Sequence, residues 1–199
     1  MIQINNISAD SPYQMFNRLY SEAQEADQKA IEAIAISSFN QTKNEVESRF
    51  VNLKYINDNE WIFFSNYLSP KGIQFQEHDQ ISALLYWGAI NTQIRLKARI
   101  QKTSNKFSDA HFQKRSKEKN ALAISSSQSQ LIDSFDSVKN NFQTTLSSMT
   151  SKTLRPEYWG GYSFIPYYFE FWRGHENRLN KRYVFSMENN SWREKLLQP

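Results

Sequence analysis

The sequence predicts a mainly β fold with flanking helices, in which a small antiparallel barrel or sandwich forms one domain over residues 1–199. Three observations predict this α+β class: short segments in which apolar and polar residues alternate, turn-forming residues between them, and polar regions with helical spacing of apolar residues. Aromatic residues make up 15% of the chain, so large flat side chains are expected to fill the core.

The N-terminal 48 residues are predicted to contain one helix and the first strand. Ser11 and Pro12 suit the start of a helix, and small or apolar residues recur at helical spacing as far as Ala30. Residues 31–37, IEAIAIS, then predict a short strand, and the polar residues after it predict a turn.

A hairpin and a short helix are predicted next. Residues 49–56, RFVNLKYI, alternate in polarity, the NDNE that follows is a turn sequence, and WIFFSN at 61–66 is expected to be the second strand. Ser69 is expected to cap a short helix that has Pro70 at its first position.

The second half of the chain is predicted to contain more strands and a helical insertion. Residues 81–89 and 92–102 are expected to be strands, the latter with regular alternation of apolar and polar side chains. Residues 104–149 are polar with apolar residues at helical spacing, interrupted at 125–130 by SSSQSQ. After residue 155, aromatic segments predict two or three further strands.

Composition limits the possible functions. The formal charge of +4 and the pI near 9.2 favour anionic ligands, but the excess is too small to require a nucleic acid. Cysteine is absent, which excludes a disulfide framework and thiolate chemistry, and no His/Asp/Glu spacing indicates a metal site. No leader sequence and no apolar run of ~20 residues are found, so we expect a soluble, cytoplasmic protein without a membrane partner.

Residues 155–182, RPEYWGGYSFIPYYFEFWRGHENRLNKR, combine nine aromatic residues with five Lys or Arg. A core strand would use the aromatic residues but not the charges, and a solvated tail would use only the charges. A flat, anionic ligand bound at the end of a buried strand would use both.

Seven ordered segments resemble the pyridoxamine 5′-phosphate oxidases, namely RFVNLK, IFFSNYLSPKG, ALLYWGAINTQIR, SSQSQ, RPEYWGGYSFIPYYFEFWRG, NRLNKR and LLQP. The resemblance covers residues 49–199 and is weak over 1–48. It implies an antiparallel FMN-binding split β-barrel and a homodimer with FMN at the interface. It also implies oxidation of pyridoxamine or pyridoxine 5′-phosphate to pyridoxal 5′-phosphate by O2, giving H2O2 and, from the amine, NH3.

The resemblance assigns the FMN contacts to twelve positions, with Arg49 expected at the cofactor phosphate. The FMN residues are Arg49, Phe50, Val51, Lys54, Phe64, Ser65, Lys71, Gln93, Gln128, Ser129, Trp172 and Arg182. Arg and Lys suit a phosphate because they form charge-assisted hydrogen bonds, and amides and hydroxyls suit the polar edge of the flavin ring.

Six positions are assigned to the substrate in the same way: Lys54, His111, Arg115, Lys119, Arg178 and Asn180. Arg178 is the expected catalytic residue, set beside the substrate ring. His111 and Lys119 stand where the family usually has Tyr and Ser, and Asn180 stands where it has His. These departures leave open an FMN-dependent oxidase of another reduced heterocycle, as in phenazine biosynthesis. A barrel that binds single-stranded nucleic acid through aromatic and basic residues is a third reading.

Overall fold

The structure, a computed structural model, describes residues 1–199 and contains ten strands and five α-helices. The strands are β1 (Gln3–Asn5), β2 (Ala33–Asn40), β3 (Glu45–Asn52), β4 (Tyr55–Asn57), β5 (Glu60–Asn66), β6 (Gln80–Trp87), β7 (Thr92–Lys102), β8 (Trp159–Arg173), β9 (Lys181–Glu188) and β10 (Ser191–Leu196). The helices are α1 (Ser11–Glu25), α2 (Pro70–Glu77), α3 (Asn105–Lys114), α4 (Lys117–Ser125) and α5 (Phe135–Ser148).

All ten strands belong to one sheet, in the order β1-β4-β5-β8-β7-β6-β2-β3, with β9 paired to β8 and β10 to β9. Every pair is antiparallel except β1 with β4, so the sheet is mixed. Its strand order ends at β1 and β3, which do not pair, and the sheet therefore does not close into a barrel. The central element is β8, whose residues 159–164 pair with β5 and whose residues 168–173 pair with β9. β7 pairs with β8 from residue 162 to residue 173, so the long strand β8 links the two parts of the sheet.

Aromatic side chains fill the core between α1 and the sheet. Phe16 of α1 lies 4.4 Å from Trp61 and 5.6 Å from Trp87 between ring centroids, and Tyr13 lies 5.1 Å from Phe169. These side chains are almost completely buried, and each such burial contributes about 2–3 kcal/mol. The apolar face predicted for the N-terminal helix is therefore what attaches α1 to the sheet.

The strand predicted over 49–56 is divided in two in the structure. The chain pairs with β2 up to Asn52, where the Leu53 amide still donates to the Glu32 carbonyl, at 2.9 Å. The Lys54 amide donates instead to Ile62, at 2.8 Å, and the following residues pair with β5. Lys54 therefore lies where the chain passes from one strand partner to the other.

Other elements agree with the expectations more closely. The strand predicted over 92–102 matches β7, and three strands follow residue 155. The first predicted strand is displaced, since residues 33–40 rather than 31–37 form it, and the short β1 had no sequence signal. No helix has the length and apolar character that a membrane span requires.

Candidate functional site

Lys71, at the start of α2, is a buried lysine without an acidic partner. It is 7% exposed, and its Nζ donates to Ser65 Oγ at 3.2 Å, Ser69 Oγ at 3.1 Å and Gln128 Oε1 at 3.2 Å. Burial, reinforced by the charge of Arg49, lowers the pKa of Lys71 to about 8. A charged amine held by neutral groups alone is suited to receive an anion.

Ser69 does not act as the side-chain cap that the sequence predicted for α2. Its hydroxyl donates to the Asn66 carbonyl at 2.7 Å and accepts from Lys71. The backbone N–H groups in the first turn of α2 are therefore not capped by Ser69, and the helix dipole adds positive potential next to the lysine.

Arg49 of β3 contributes the second positive charge of this group, but it already has partners. Its guanidinium donates to Ser38 Oγ at 2.6 Å, to Glu47 Oε2 at 3.1 Å and to Gln74 Oε1 at 3.2 Å. The interaction with the Gln74 side chain lowers the pKa of Glu47, and the buried Gln74 Nε2 makes no hydrogen bond of good geometry within the chain. We call Arg49, Ser65, Lys71 and Gln128 the Lys71 group.

A second group of cations surrounds Arg115 at the end of α3. The Arg115 guanidinium lies 4.3 Å from the Trp159 ring and donates to Asn120 Oδ1 and to the Lys119 carbonyl, both at 3.1 Å. None of the ten ion pairs in the chain includes Lys54, Arg115 or Lys119. We call Lys54, His111, Arg115 and Lys119 the Arg115 group.

A cavity of about 200 Å³ joins the two groups. Its lining includes Ser65 and Gln128 from the Lys71 group, Arg115 and Lys119 from the Arg115 group, and the ring of Phe64. Five residues that the sequence predicted for the site therefore line one cavity: Phe64, Ser65, Arg115, Lys119 and Gln128. The donors are cationic or neutral, so the composition of this site fits phosphate groups and the aromatic surface fits a flat ring.

The remaining predicted residues form a third set on the other part of the sheet. Gln93, Trp172 and Arg182 are directly paired across β7, β8 and β9, and Trp172 also borders a cavity of about 310 Å³ beside α1. Arg178 lies exposed in the loop between β8 and β9 with φ of 60°, and Asn180 Oδ1 accepts from the His175 amide at 3.0 Å. None of them is bonded to the Lys71 or Arg115 group.

Three residues of the predicted FMN set have side chains away from the cavity. Phe50 is 75% exposed on the face of β3 opposite Arg49, and Val51 packs against the core. Ser129 has φ of 69° and borders a different cavity. Their roles stay predictions, and only backbone contacts would suit Val51.

Sequence reasoning missed several side chains that shape the site. Gln74 holds Arg49, Asn120 holds Arg115, and Trp159 supports the guanidinium of Arg115. Tyr55 hydrogen-bonds to His111 at 2.8 Å. Asn, Gln and aromatic residues are common in cores and loops, so nothing in the linear sequence distinguished these four.

An open sheet whose two parts share the long strand β8, with two groups of cations beside one cavity, has the architecture of a split-barrel protein. Solved structures have the same fold. PhzG from Burkholderia lata 383, in complex with tetrahydrophenazine-1-carboxylic acid, is 25% identical and has a TM-score of 0.89, with 94% of this chain and 92% of that chain covered. A pyridoxamine 5′-phosphate oxidase-related, FMN-binding protein from Nostoc punctiforme is 11% identical and has a TM-score of 0.77, with 96% of this chain and 99% of that chain covered.

Sequence relatives are more specific. Residues 159–199, which span β8 to β10, match the family model of the pyridoxine 5′-phosphate oxidase C-terminal dimerisation region. A pyridoxine/pyridoxamine 5′-phosphate oxidase from Leptospira biflexa is 33% identical over 94% of this chain and 89% of its own length. A pyridoxine/pyridoxamine 5′-phosphate oxidase from Legionella pneumophila is 31% identical over 100% of this chain and 93% of its own length. The chain belongs to the pyridoxine/pyridoxamine 5′-phosphate oxidase family, as the ordered motifs indicated.

Proposed function

We propose that this protein oxidises pyridoxine or pyridoxamine 5′-phosphate to pyridoxal 5′-phosphate, with FMN as cofactor and O2 as electron acceptor. The observation that carries the proposal is that Lys71 and Arg115, two cations without acidic partners, belong to groups whose residues line one cavity in a chain of this family. One group suits the phosphate of the cofactor and the other suits the phosphate of the substrate.

The Lys71 group would hold the FMN phosphate. Lys71 offers a desolvated charge, Ser65 and Gln128 offer polar atoms around it, and the Arg49 guanidinium and the unpartnered amide of Gln74 lie alongside. These donors fit a phosphate monoester, which accepts several charge-assisted hydrogen bonds. When bound, FMN would supply a hydride acceptor that O2 reoxidises to give H2O2, and with the amine substrate water would hydrolyse the oxidised product to the aldehyde and NH3.

The Arg115 group would hold the substrate phosphate. Arg115 is fixed by Asn120, by the Lys119 carbonyl and by the Trp159 ring, so little conformational freedom is lost when it binds an anion. Lys54 reaches the same region from the crossing between β3 and β4, since its charge helps to lower the pKa of His111. The phosphate would thus be held at one end of the cavity, with the substrate ring directed towards the flavin.

We further propose that the site is completed in a homodimer. Trp172, Arg178 and Arg182 lie within the matched dimerisation region, and Gln93 of β7 pairs with Trp172. None of these four residues is bonded to the other two groups. In the dimer this set would reach FMN held by the Lys71 group of the other subunit. Arg178 would then lie beside the substrate ring as the catalytic residue, with Asn180 holding its loop through the His175 amide.

The visible spectrum of the purified protein tests the proposal, followed by anaerobic addition of pyridoxine 5′-phosphate. A flavin band that bleaches on addition and returns with air is the expected result. A flavin band that stays unchanged with both pyridoxine and pyridoxamine 5′-phosphate would exclude these two compounds as substrates and would support FMN as the cofactor. Absence of a flavin band after FMN is supplied would exclude both.

A second candidate is oxidation of another reduced heterocycle by the same cofactor. Two observations favour testing it: the similarity to PhzG over 94% of the chain, and the departures from the family pattern at positions 111, 119 and 180. A reduced tricyclic carboxylic acid should then bleach the flavin where pyridoxine 5′-phosphate does not.

A further inference from the structure

His111, a member of the Arg115 group, is part of a stack of nearly parallel rings. Its imidazole lies 3.6 Å from the Phe64 ring, with 11° between the planes. Phe107 and Trp159 are also stacked on Phe64, with interplanar angles of 10° and 16°. An imidazole held flat by neighbouring rings cannot easily rotate, so the directions of its two nitrogens are fixed.

The Nδ1 atom of His111 has a defined partner. Tyr55 Oη lies 2.8 Å from it, and the Tyr55 ring stands nearly perpendicular to the imidazole, at 82°. Burial raises the pKa of Tyr55, so the phenol keeps its proton and has no other acceptor than Nδ1. The arrangement that satisfies both groups has Tyr55 donating to Nδ1, which places the imidazole proton on Nε2.

The charges around His111 favour the neutral ring. Burial is the largest cause, and the positive charges of Arg115, Lys54 and Lys114 add to it, so the pKa of His111 is lowered to about 4. The other titratable group packed against the ring is Tyr55, which is also neutral. The Nε2 atom makes no hydrogen bond within the chain and is not among the buried unpartnered atoms, so it keeps some contact with solvent.

We propose that Tyr55 is a positioning residue that fixes His111 as a neutral donor, with its Nε2–H directed at the phosphate of the substrate. This assignment rests on the proposed function, because it takes the anion at the Arg115 group to be the substrate phosphate. The cations Lys54 and Arg115 supply the charge, whereas His111 supplies a single directed hydrogen bond. His111 thereby takes the place of the tyrosine that the family usually has at this position, without adding a group that titrates near neutral pH.

The simplest alternative is that Tyr55 and His111 form a packing pair with no role in binding. The two readings differ in the tautomer and in what Nε2 contacts. A packing pair would tolerate loss of the phenolic hydroxyl without change in ligand affinity. The positioning role requires that removing the hydroxyl weakens phosphate binding only while His111 is present.

Nitrogen-15 NMR of the FMN-loaded protein tests the tautomer without any turnover. The His111 signal is assigned with the His111→Phe variant, since the chain has only two other histidines, His78 and His175. The expected result is a neutral ring protonated on Nε2 from pH 5.5 to 8, whose Nε2–H signal shifts when pyridoxine 5′-phosphate is added anaerobically. In Tyr55→Phe the ring should become a mixture of tautomers. A ring that titrates near pH 6.5, or that carries its proton on Nδ1, would overturn the proposal.

Kinetics test the consequence for binding. For Tyr55→Phe we expect KM for pyridoxine 5′-phosphate to rise about fivefold with kcat nearly unchanged, and for His111→Phe, which keeps the stack, about tenfold. The double variant should be no worse than His111→Phe, whereas independent, additive effects would refute the positioning role. Tyr86→Phe, at an exposed tyrosine, is the matched control and should leave KM unchanged.

The proposed function can fail separately. If neither phosphorylated substrate is oxidised, inorganic phosphate replaces them as the probe of the Nε2–H signal. A shift that is lost in His111→Phe and reduced in Tyr55→Phe would support the anion-binding role of the pair without the oxidase activity. No shift with saturating phosphate would overturn it.

Discussion

Replacing Lys71 with methionine is expected to stabilise the cofactor-free protein while weakening FMN binding. Lys71 is 7% exposed, and burial together with Arg49 lowers its pKa from 10.5 to about 8. Since one pKa unit corresponds to about 1.4 kcal/mol, keeping the charge at neutral pH costs ~3 kcal/mol. Methionine removes that cost along with three hydrogen bonds to neutral groups, so the free energy of unfolding should rise by roughly 1–2 kcal/mol.

The depressed pKa of Lys71 also gives the stability a pH dependence of definite sign. Between about pH 8 and 10.5 the unfolded chain holds a proton that the folded chain has lost. The free energy of unfolding therefore rises with pH through this window, and the full cost is present below pH 8. Urea denaturation of the FMN-free protein at pH 7 and pH 10 measures the rise, which should be smaller in Lys71→Met.

The same variant should bind FMN about 10- to 100-fold more weakly, because a charge-assisted contact to phosphate contributes roughly 1.5–3 kcal/mol. Quenching of FMN fluorescence gives the Kd. The matched control is Lys106→Met, at an exposed lysine of α3, which should change neither quantity. Unchanged FMN affinity in Lys71→Met would refute the phosphate assignment, and a less stable variant would refute the desolvation argument.

Three further substitutions test separate parts of the site. Glu47→Gln frees Arg49 from its ion pair, so the Kd for FMN in the quenching assay should fall about fivefold. A rise in this Kd would mean that Glu47 orients the guanidinium of Arg49 and does not compete with the phosphate for it. Arg178→Ala should cut kcat by at least about tenfold while FMN stays bound, as judged from the spectrum, and normal turnover would remove its catalytic role. Glu170→Gln removes a buried carboxylate that pairs with Arg182 at 2.7 Å and with Arg95 at 2.9 Å. The two guanidinium groups left behind keep contact with solvent, so the free energy of unfolding should fall by about 1.5–3 kcal/mol, the contribution of hydrogen bonds to a charged group; a loss below about 0.5 kcal/mol in urea denaturation would contradict this.

How far the sequence could predict the structure depended on whether a contact is local. The strand at 92–102 was predicted closely because its alternation is a property of adjacent residues. The break at Leu53 and Lys54 was missed because both halves continue the same alternation. Its cause is the change of hydrogen-bond partner from Glu32 to Ile62, which no local pattern contains.

The site residues show the same difference between what ordered motifs predict and what only contacts between distant segments reveal. Lys71, Ser65 and Gln128 were found through ordered motifs, and the structure brings their side chains together. Tyr55 and His111 are 56 residues apart, so their hydrogen bond had no sequence signal, and the residue at 111 could be identified only as a departure. The short β1 escaped prediction because three residues paired in parallel carry too little pattern.

Lys71 and Arg115 are withdrawn from solvent without an acidic partner, and a bound anion would complete their site. The chain has 20 acidic residues and ten ion pairs, yet none of these pairs includes Lys71, Lys54, Arg115 or Lys119. Holding these charges together without partners costs stability, and a ligand that binds only the folded state returns it, by about 2.7 kcal/mol at 100 times its Kd. Stability and cofactor binding are therefore coupled at this site. FMN should raise the thermal midpoint of the native protein, and the increment should be smaller in Lys71→Met, where less charge remains to be neutralised.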